Sequence, residues 1–260
     1  MNVKPVTRIL KVRLSVLILA LLLLTGCAEL LKTIQTVSAV QQLTEADIAG
    51  GLKEALTVGA RNAAERLATR DGFWGDPSVR IPLPDEAKVI VDNIGKIPGG
   101  QQLLDNVVLS INRAAEDAAR EVAPIFVSSI TQMTITDGYN ILHGADNAAT
   151  VYLRNTTHNQ LYALFRPKIS ASTGKEIVGG ISASESWTTL TGKWNSVANS
   201  VAGKIAGFKP VNTDLDDFLT AKALDGVYLK LEGEELRIRK EVSARVTPLL
   251  QKVFGTLDQQ

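Results

Sequence analysis

The sequence predicts an all-α fold: a single multi-helix domain with loop-rich connections, behind a cleaved N-terminal signal peptide. Three observations predict it. Apolar residues recur at spacings of three and four through most of the chain, the period that lines one face of a helix. Strand-like alternation is almost absent, and SVRIPL at 78–83 is the one tempting stretch. The apolar run at the N-terminus is too short to span a bilayer and ends at the only cysteine of the 260-residue chain.

That N-terminus sets the boundaries. Lys4, Arg8, Lys11 and Arg13 precede an eleven-residue run, Leu14 to Leu24, in which only Ser15 is polar. A spanning helix needs about 20 apolar residues, so this run suits the core of a secretory signal. Leu24-Thr25-Gly26-Cys27 has the small residues a signal peptidase needs to approach the backbone, and a thiol that can carry diacylglycerol. It resembles the bacterial lipobox, with Cys27 as the lipid attachment site. The alternative is an uncleaved anchor in which Cys27 is incidental. The expected division is a signal peptide over 1–26, a lipidated tether over 27–43 and a helical domain over 44–256. Ala28, rather than an aspartate, follows the cysteine. The expected location is therefore the bacterial envelope, at the outer membrane facing the periplasm, with the membrane as a partner through the anchor.

Cleavage also changes the charge. The signal carries four basic residues and no acid, leaving 24 Lys/Arg against 27 Asp/Glu, a net charge of −3. The whole-chain pI of 7.8 includes a segment that the mature chain lacks. A mildly acidic chain has no global electrostatic reason to bind nucleic acid, and none is expected. With no second cysteine, no disulfide can staple the core.

The helices follow in order. Thr44-Glu45-Ala46-Asp47 reads as an N-terminal cap, and Ile48, Leu52, Leu56, Ala60, Ala63 and Leu67 form one face of a long helix. Gly51, Ala55, Gly59 and Ala63 form a small-residue stripe beside it. Mid-helix glycines cost about 1 kcal/mol each against alanine, so another helix should cross closely there. DGFWGDPSVRIPLP at 71–84 reads as an ordered connection anchored by Phe73 and Trp74. A helix is expected from Asp85 to about Ile94, and another from Gln101 that Pro124 ends or kinks. A short helix is expected over 136–142. Asp146 should cap a helix over 147–155, and Thr157-x-x-Gln160 a further one ending at Pro167. Residues 168–184 and 200–212 read as loops. Ser182-x-x-Glu185 caps a helix bearing Trp187 and Trp194, and Thr213-x-x-Asp216 one running on through EELRIRK. A last helix carries Leu249, Leu250, Val253 and Phe254, and Gly255 stops it.

Catalytic motifs are missing. Two histidines, His143 and His158, with an acylated Cys27, do not make a zinc site, and no cofactor is expected. GISAS at 180–184 lacks the last glycine of a nucleophile elbow. The TGK triplets at 173–175 and 191–193 lack the earlier glycine of a P-loop. Asp214, Asp216 and Asp217 lack the EF-hand glycine and suit a helix start. One polar group is less bland: Arg113, Asp137, Tyr152 and Arg154, with Asn112, Glu116 and Arg166 nearby in sequence. Either arginine could grip a carboxylate or phosphate, or the group could be a network of ion pairs and caps locking helices together.

Several long runs carry a resemblance: LTEADIAGGLKEALTVGARNA, DGFWGDPSVRIPLP, INRAAEDAA, QMTITDGYNILHGADNAATVYLRNTT, LYALFRP, ALDGVYLKLEGEELRIRK and LLQKVFG. Over roughly residues 44–255 the chain resembles the bacterial domain-of-unknown-function family 4197. The resemblance implies a helical secreted protein, often with a lipobox, and supplies no catalytic residue or substrate. The function expected is a non-enzymatic envelope lipoprotein that binds a small anionic or lipid ligand, or an envelope protein. The alternatives are a hydrolytic envelope enzyme using the Arg/Asp/Tyr group, and a structural envelope protein.

Overall fold

The computed structural model describes residues 43–97, 99–211 and 214–259. Cys27, the signal and all but the last residue of the tether lie outside them, as does Thr213. The described chain is helical throughout: α1 (Glu45–Leu67), α2 (Lys88–Asp92), α3 (Gly100–Ala119), α4 (Val122–Gln132), α5 (Gly138–Leu142), α6 (Ala148–Thr173), α7 (Ala183–Asn199), α8 (Val201–Ile205), α9 (Asp216–Lys240) and α10 (Pro248–Phe254), with short 3-10 turns between some of them. Among the described residues there is no strand, only an isolated antiparallel bridge between Val178 and Ile181. No described helix is long and apolar enough to cross a membrane.

The core forms around α1, whose expected apolar face is buried from Ile48 to Leu67. The small-residue stripe explains how α1 fits. A Cβ at Gly59 would lie 2.6 Å from Leu231 of α9, and one at Gly51 2.7 Å from Val253 of α10. Both glycines are thus close-approach positions, as their placement predicts. α9 packs mainly on α1 and α6, while α3 joins α6 and α7. Leu219, Ala223, Leu224, Val227, Tyr228 and Leu231 supply the buried stripe of α9.

Several expectations are corrected. The helices expected over 147–155 and from Thr157 are one helix, α6. Thr157 does not cap; its hydroxyl donates to the Leu153 carbonyl at 2.6 Å. Pro167 lies inside α6 rather than after it. Its missing N–H and the carbonyl it frees at Ala163 fall at exposed positions, so the carbonyl is open to solvent, while Phe165 and Ile169 are buried on either side. The loop expected over 168–184 therefore shrinks, since α6 runs to Thr173. Asp146 pairs with Lys240 at 3.0 Å instead of capping. The cap comes from α9: the buried Glu235 carboxylate accepts from the N–H groups of Ala149 and Thr150 at 2.9 and 2.7 Å.

The remaining differences are local. The helix expected from Asp85 is split into a 3-10 turn over Asp85–Ala87, α2, and a 3-10 turn over Ile94–Lys96. α3 stops at Ala119, and Pro124 sits in the first turn of α4, where no intrahelical N–H is needed. The expected 200–212 loop contains α8, and a 3-10 turn continues from Gly255 to Gln259. Ser182 caps α7 as predicted, accepting from the Glu185 N–H at 3.0 Å.

Candidate functional site

The connection between α1 and α2 is held from its inner side by side chains of α3 and α9. Asn112 of α3, fully buried, acts as a strand partner would: its Oδ1 accepts from the Ile81 N–H at 2.9 Å and its Nδ2 donates to the Ile81 carbonyl at 2.8 Å. The Ile81 backbone is thus satisfied without a sheet, while Ser78 and Val79 just before it lie in a turn closed on the Asp76 carbonyl. One turn on, the Glu116 carboxylate accepts from the N–H groups of Phe73 and Trp74 at 3.2 and 3.0 Å. Phe73 is fully buried beneath and Trp74 half-buried at the rim, the two anchors the sequence indicates. From α9, Lys230 donates to Asp76 and, at 3.0 Å, to the Ser78 hydroxyl.

Asp76 makes this last clamp sensitive to acid. Hydrogen bonds from Lys230, then from Ser78, lower its pKa from 3.8 to about 2. A carboxyl depressed in the folded state contributes stability above its ordinary pKa and loses it as pH falls through the folded value. Asp76→Asn is therefore expected to be less stable than the parent at neutral pH and to converge with it as pH falls from 3.8 to about 2. Urea titrations across that interval check this; parallel curves would refute the clamp.

The outer side of the same connection is open and largely apolar, with Asp85, Asp92 and Asp105 also on its lining. Trp74, Pro82 and Leu83 face Val91 of α2 and Leu104 and Val108 of α3 around a cavity of about 680 Å³. At its edge the Arg80 guanidinium stacks 3.6 Å from the Trp74 ring centroid and has no carboxylate partner among the described residues. Lys88, also on the lining, is spent on Asp92 at 2.9 Å. Arg80 and Pro82 also border a second cavity of about 400 Å³, where Arg154 and Lys222 meet Asp225 and Glu232.

The four residues singled out from the sequence do not share a cavity among those described. Arg113 lines a third one, of about 410 Å³, with Arg70 and Arg120, and donates to Glu116 at 2.6 Å and Asp71 at 2.7 Å. Burial opposes its charge, but those two bonds outweigh it and raise its pKa. Arg154 pairs with Asp225 and lies 4.8 Å over the Tyr228 ring. Asp137 accepts from Asn140 at 2.8 Å, and the Tyr152 hydroxyl donates to the Thr134 carbonyl at 2.7 Å, both bracing the connection from α4 to α5. Burial pushes the Tyr228 hydroxyl pKa up, and His158 sits beside it with centroids 6.2 Å apart. No group of His, Cys, Asp and Glu that could hold a metal occurs among the described residues. The groove residues missed by the sequence reading, Arg80 and Leu104 above all, had one signal: an ordered three-proline connection that leaves a tryptophan at its rim.

The family described as a protein of unknown function, DUF4197, matches residues 42–255. No curated protein and no solved structure matches the chain.

Proposed function

Because the chain belongs to DUF4197, a family with no stated activity, we propose its function from the groove: a non-enzymatic, lipid-anchored binding domain of the bacterial envelope. Cys27 carries the anchor, and the domain sits at the outer membrane facing the periplasm. The ligand is an amphipathic anion of acyl-chain type. Its apolar body lies along Trp74, Leu83, Val91 and Leu104, and its head lies over Arg80, towards Lys222 in the adjoining cavity. The observation that carries this reading is an open, largely apolar groove whose wall is pinned from behind, with at its edge a guanidinium that stacks on Trp74 and has no carboxylate partner among the described residues. Pinning matters because a pre-ordered wall loses little entropy when a ligand binds.

Native mass spectrometry of the mature protein tests the reading. Extra mass released on denaturation is expected, with the composition of a lipid-like acid. Val91 is 41% exposed, so Val91→Glu disturbs little packing yet places a carboxylate in the groove. That variant should lose bound mass about tenfold or more, a difference of about 1.4 kcal/mol, with its melting temperature unchanged. A clean apo mass for the parent, together with no uptake of added fatty acid, would overturn the proposal.

A further inference from the structure

Helix α8 and the turn after it form an ordered apolar tip. Val201 is 78% exposed and Ile205 84%, the most exposed large apolar side chains among the described residues. They lie one helical turn apart and so share a face. The exposure is built in rather than loose. The Ser200 hydroxyl accepts from the Gly203 N–H at 3.0 Å, and a Cβ at Gly203 would fall 2.1 Å from the Val197 carbonyl oxygen. The turn closes with Phe208 N–H on the Gly203 carbonyl at 2.9 Å, Gly207 taking the left-handed conformation that this helix end requires. Behind it, Trp194 Nε1 donates to the Lys209 carbonyl at 2.9 Å. The Asn195 amide exchanges two hydrogen bonds with the Val211 backbone at 2.8 and 3.1 Å. The charge along this stretch of chain has one sign. No acid occurs between Glu185 and Asp214, while Lys193, Lys204 and Lys209 do. Lys96 adds a fourth ammonium, 4.4 Å from the Phe208 ring centroid.

Exposed aliphatics on a stretch of chain with lysines and no acids suit one surface in particular. The side chains can enter the boundary between headgroups and acyl chains, while lysine stems reach back to phosphates. A protein partner could cover Val201 and Ile205, but it would give no general reason for the absence of acids along this stretch. We propose that α8 and the turn to Lys209 dip into an anionic lipid surface, as a second membrane contact of the domain. That it is the second contact rests on the anchor at Cys27 proposed above; the lipid preference of the tip does not.

The test uses the full mature chain on vesicles of phosphatidylethanolamine with about a third phosphatidylglycerol. Ile205→Cys carries an environment-sensitive dye, Glu65→Cys on the exposed face of α1 carries the same dye as a control, and the parent chain reports any labelling at Cys27. Flotation with the vesicles reads the anchor; the dye reads the tip. The expected result is a blue shift at 205 and about twofold quenching by brominated acyl chains, absent at 65. Lys204→Glu with Lys209→Glu should weaken it. A dye at 205 as solvent-exposed and unquenched as that at 65, on a chain that floats, would overturn the tip and leave the anchor standing. If the chain does not float, the anchor fails, and the same dye with vesicles in excess still decides the tip. Protection of the dye by envelope proteins but not by lipid would overturn it in favour of a protein partner.

Discussion

Replacing Glu235 with alanine is expected to destabilise the domain by about 3–5 kcal/mol, the range for breaking a buried ion pair by removing one partner. Glu235 and Arg239 are both almost fully buried, one turn apart on α9 and 2.8 Å from each other. The carboxylate also accepts from the Ala149 and Thr150 N–H groups and, at 2.7 Å, from the Thr150 hydroxyl. Arg239 spends its other N–H groups on the carbonyls of Leu142 and Ile141 at 2.7 and 3.0 Å. Alanine would strand a guanidinium without a counter-charge and uncap the first turn of α6. Glu235→Gln keeps an acceptor but loses the charge, so it should fall between parent and alanine. Urea unfolding midpoints order the three; an unchanged midpoint for alanine would mean that α9 does not hold α6 in this way.

Asn112→Leu should cost about 2–4 kcal/mol, because two buried backbone groups of Ile81 lose their partners at about 1–3 kcal/mol each, partly offset by relaxation. Leucine nearly matches asparagine in volume, so packing alone would predict little change. The damage should be local before it is global. Amide exchange at Ile81 should accelerate about tenfold or more, relative to amides of α1. The groove should lose its bound mass at the same time. This separates Asn112→Leu from Val91→Glu, which should lose ligand without losing protection at Ile81. Protection at Ile81 that survives the leucine would show that the connection is held some other way.

The parts of this fold that the sequence made legible are those decided by local spacing. α1, α3, α7 and α9 show their buried faces in the three-and-four rhythm of Leu, Ile, Val and Ala, and the glycines of α1 mark a close helix crossing without saying which helix crosses. α6 was not legible as one helix because two local signals contradict it. Thr157 reads as a cap and Pro167 as a stop, yet both are overridden by Leu153, Leu161, Phe165 and Ile169, all buried on one face. Its actual N-terminal cap comes from Glu235, 86 residues downstream of Ala149, and no local rule can supply that. The candidate site divides in the same way. Asn112, Arg113 and Glu116 stand out as a polar turn on α3, and the structure uses all three. Their partners, Ile81, Asp71 and the Phe73–Trp74 backbone, belong to a different segment. A groove between segments has no sequence signature beyond the residues of each wall.

The seating of α1 against α9 and α10 also orders events in time. Asn62 Nδ2 donates to Glu234 at 2.7 Å across 172 positions of chain, and Gly51 receives Val253 near the C-terminus. Closing so long a loop brings its reward only at the end, which slows folding and makes it depend on the last residues to emerge. Until then the first helix lacks the neighbours that lock it. Compaction of the domain therefore waits until the C-terminal helices arrive. During that interval the apolar face of α1, from Ile48 to Leu67, is the part most in need of a chaperone.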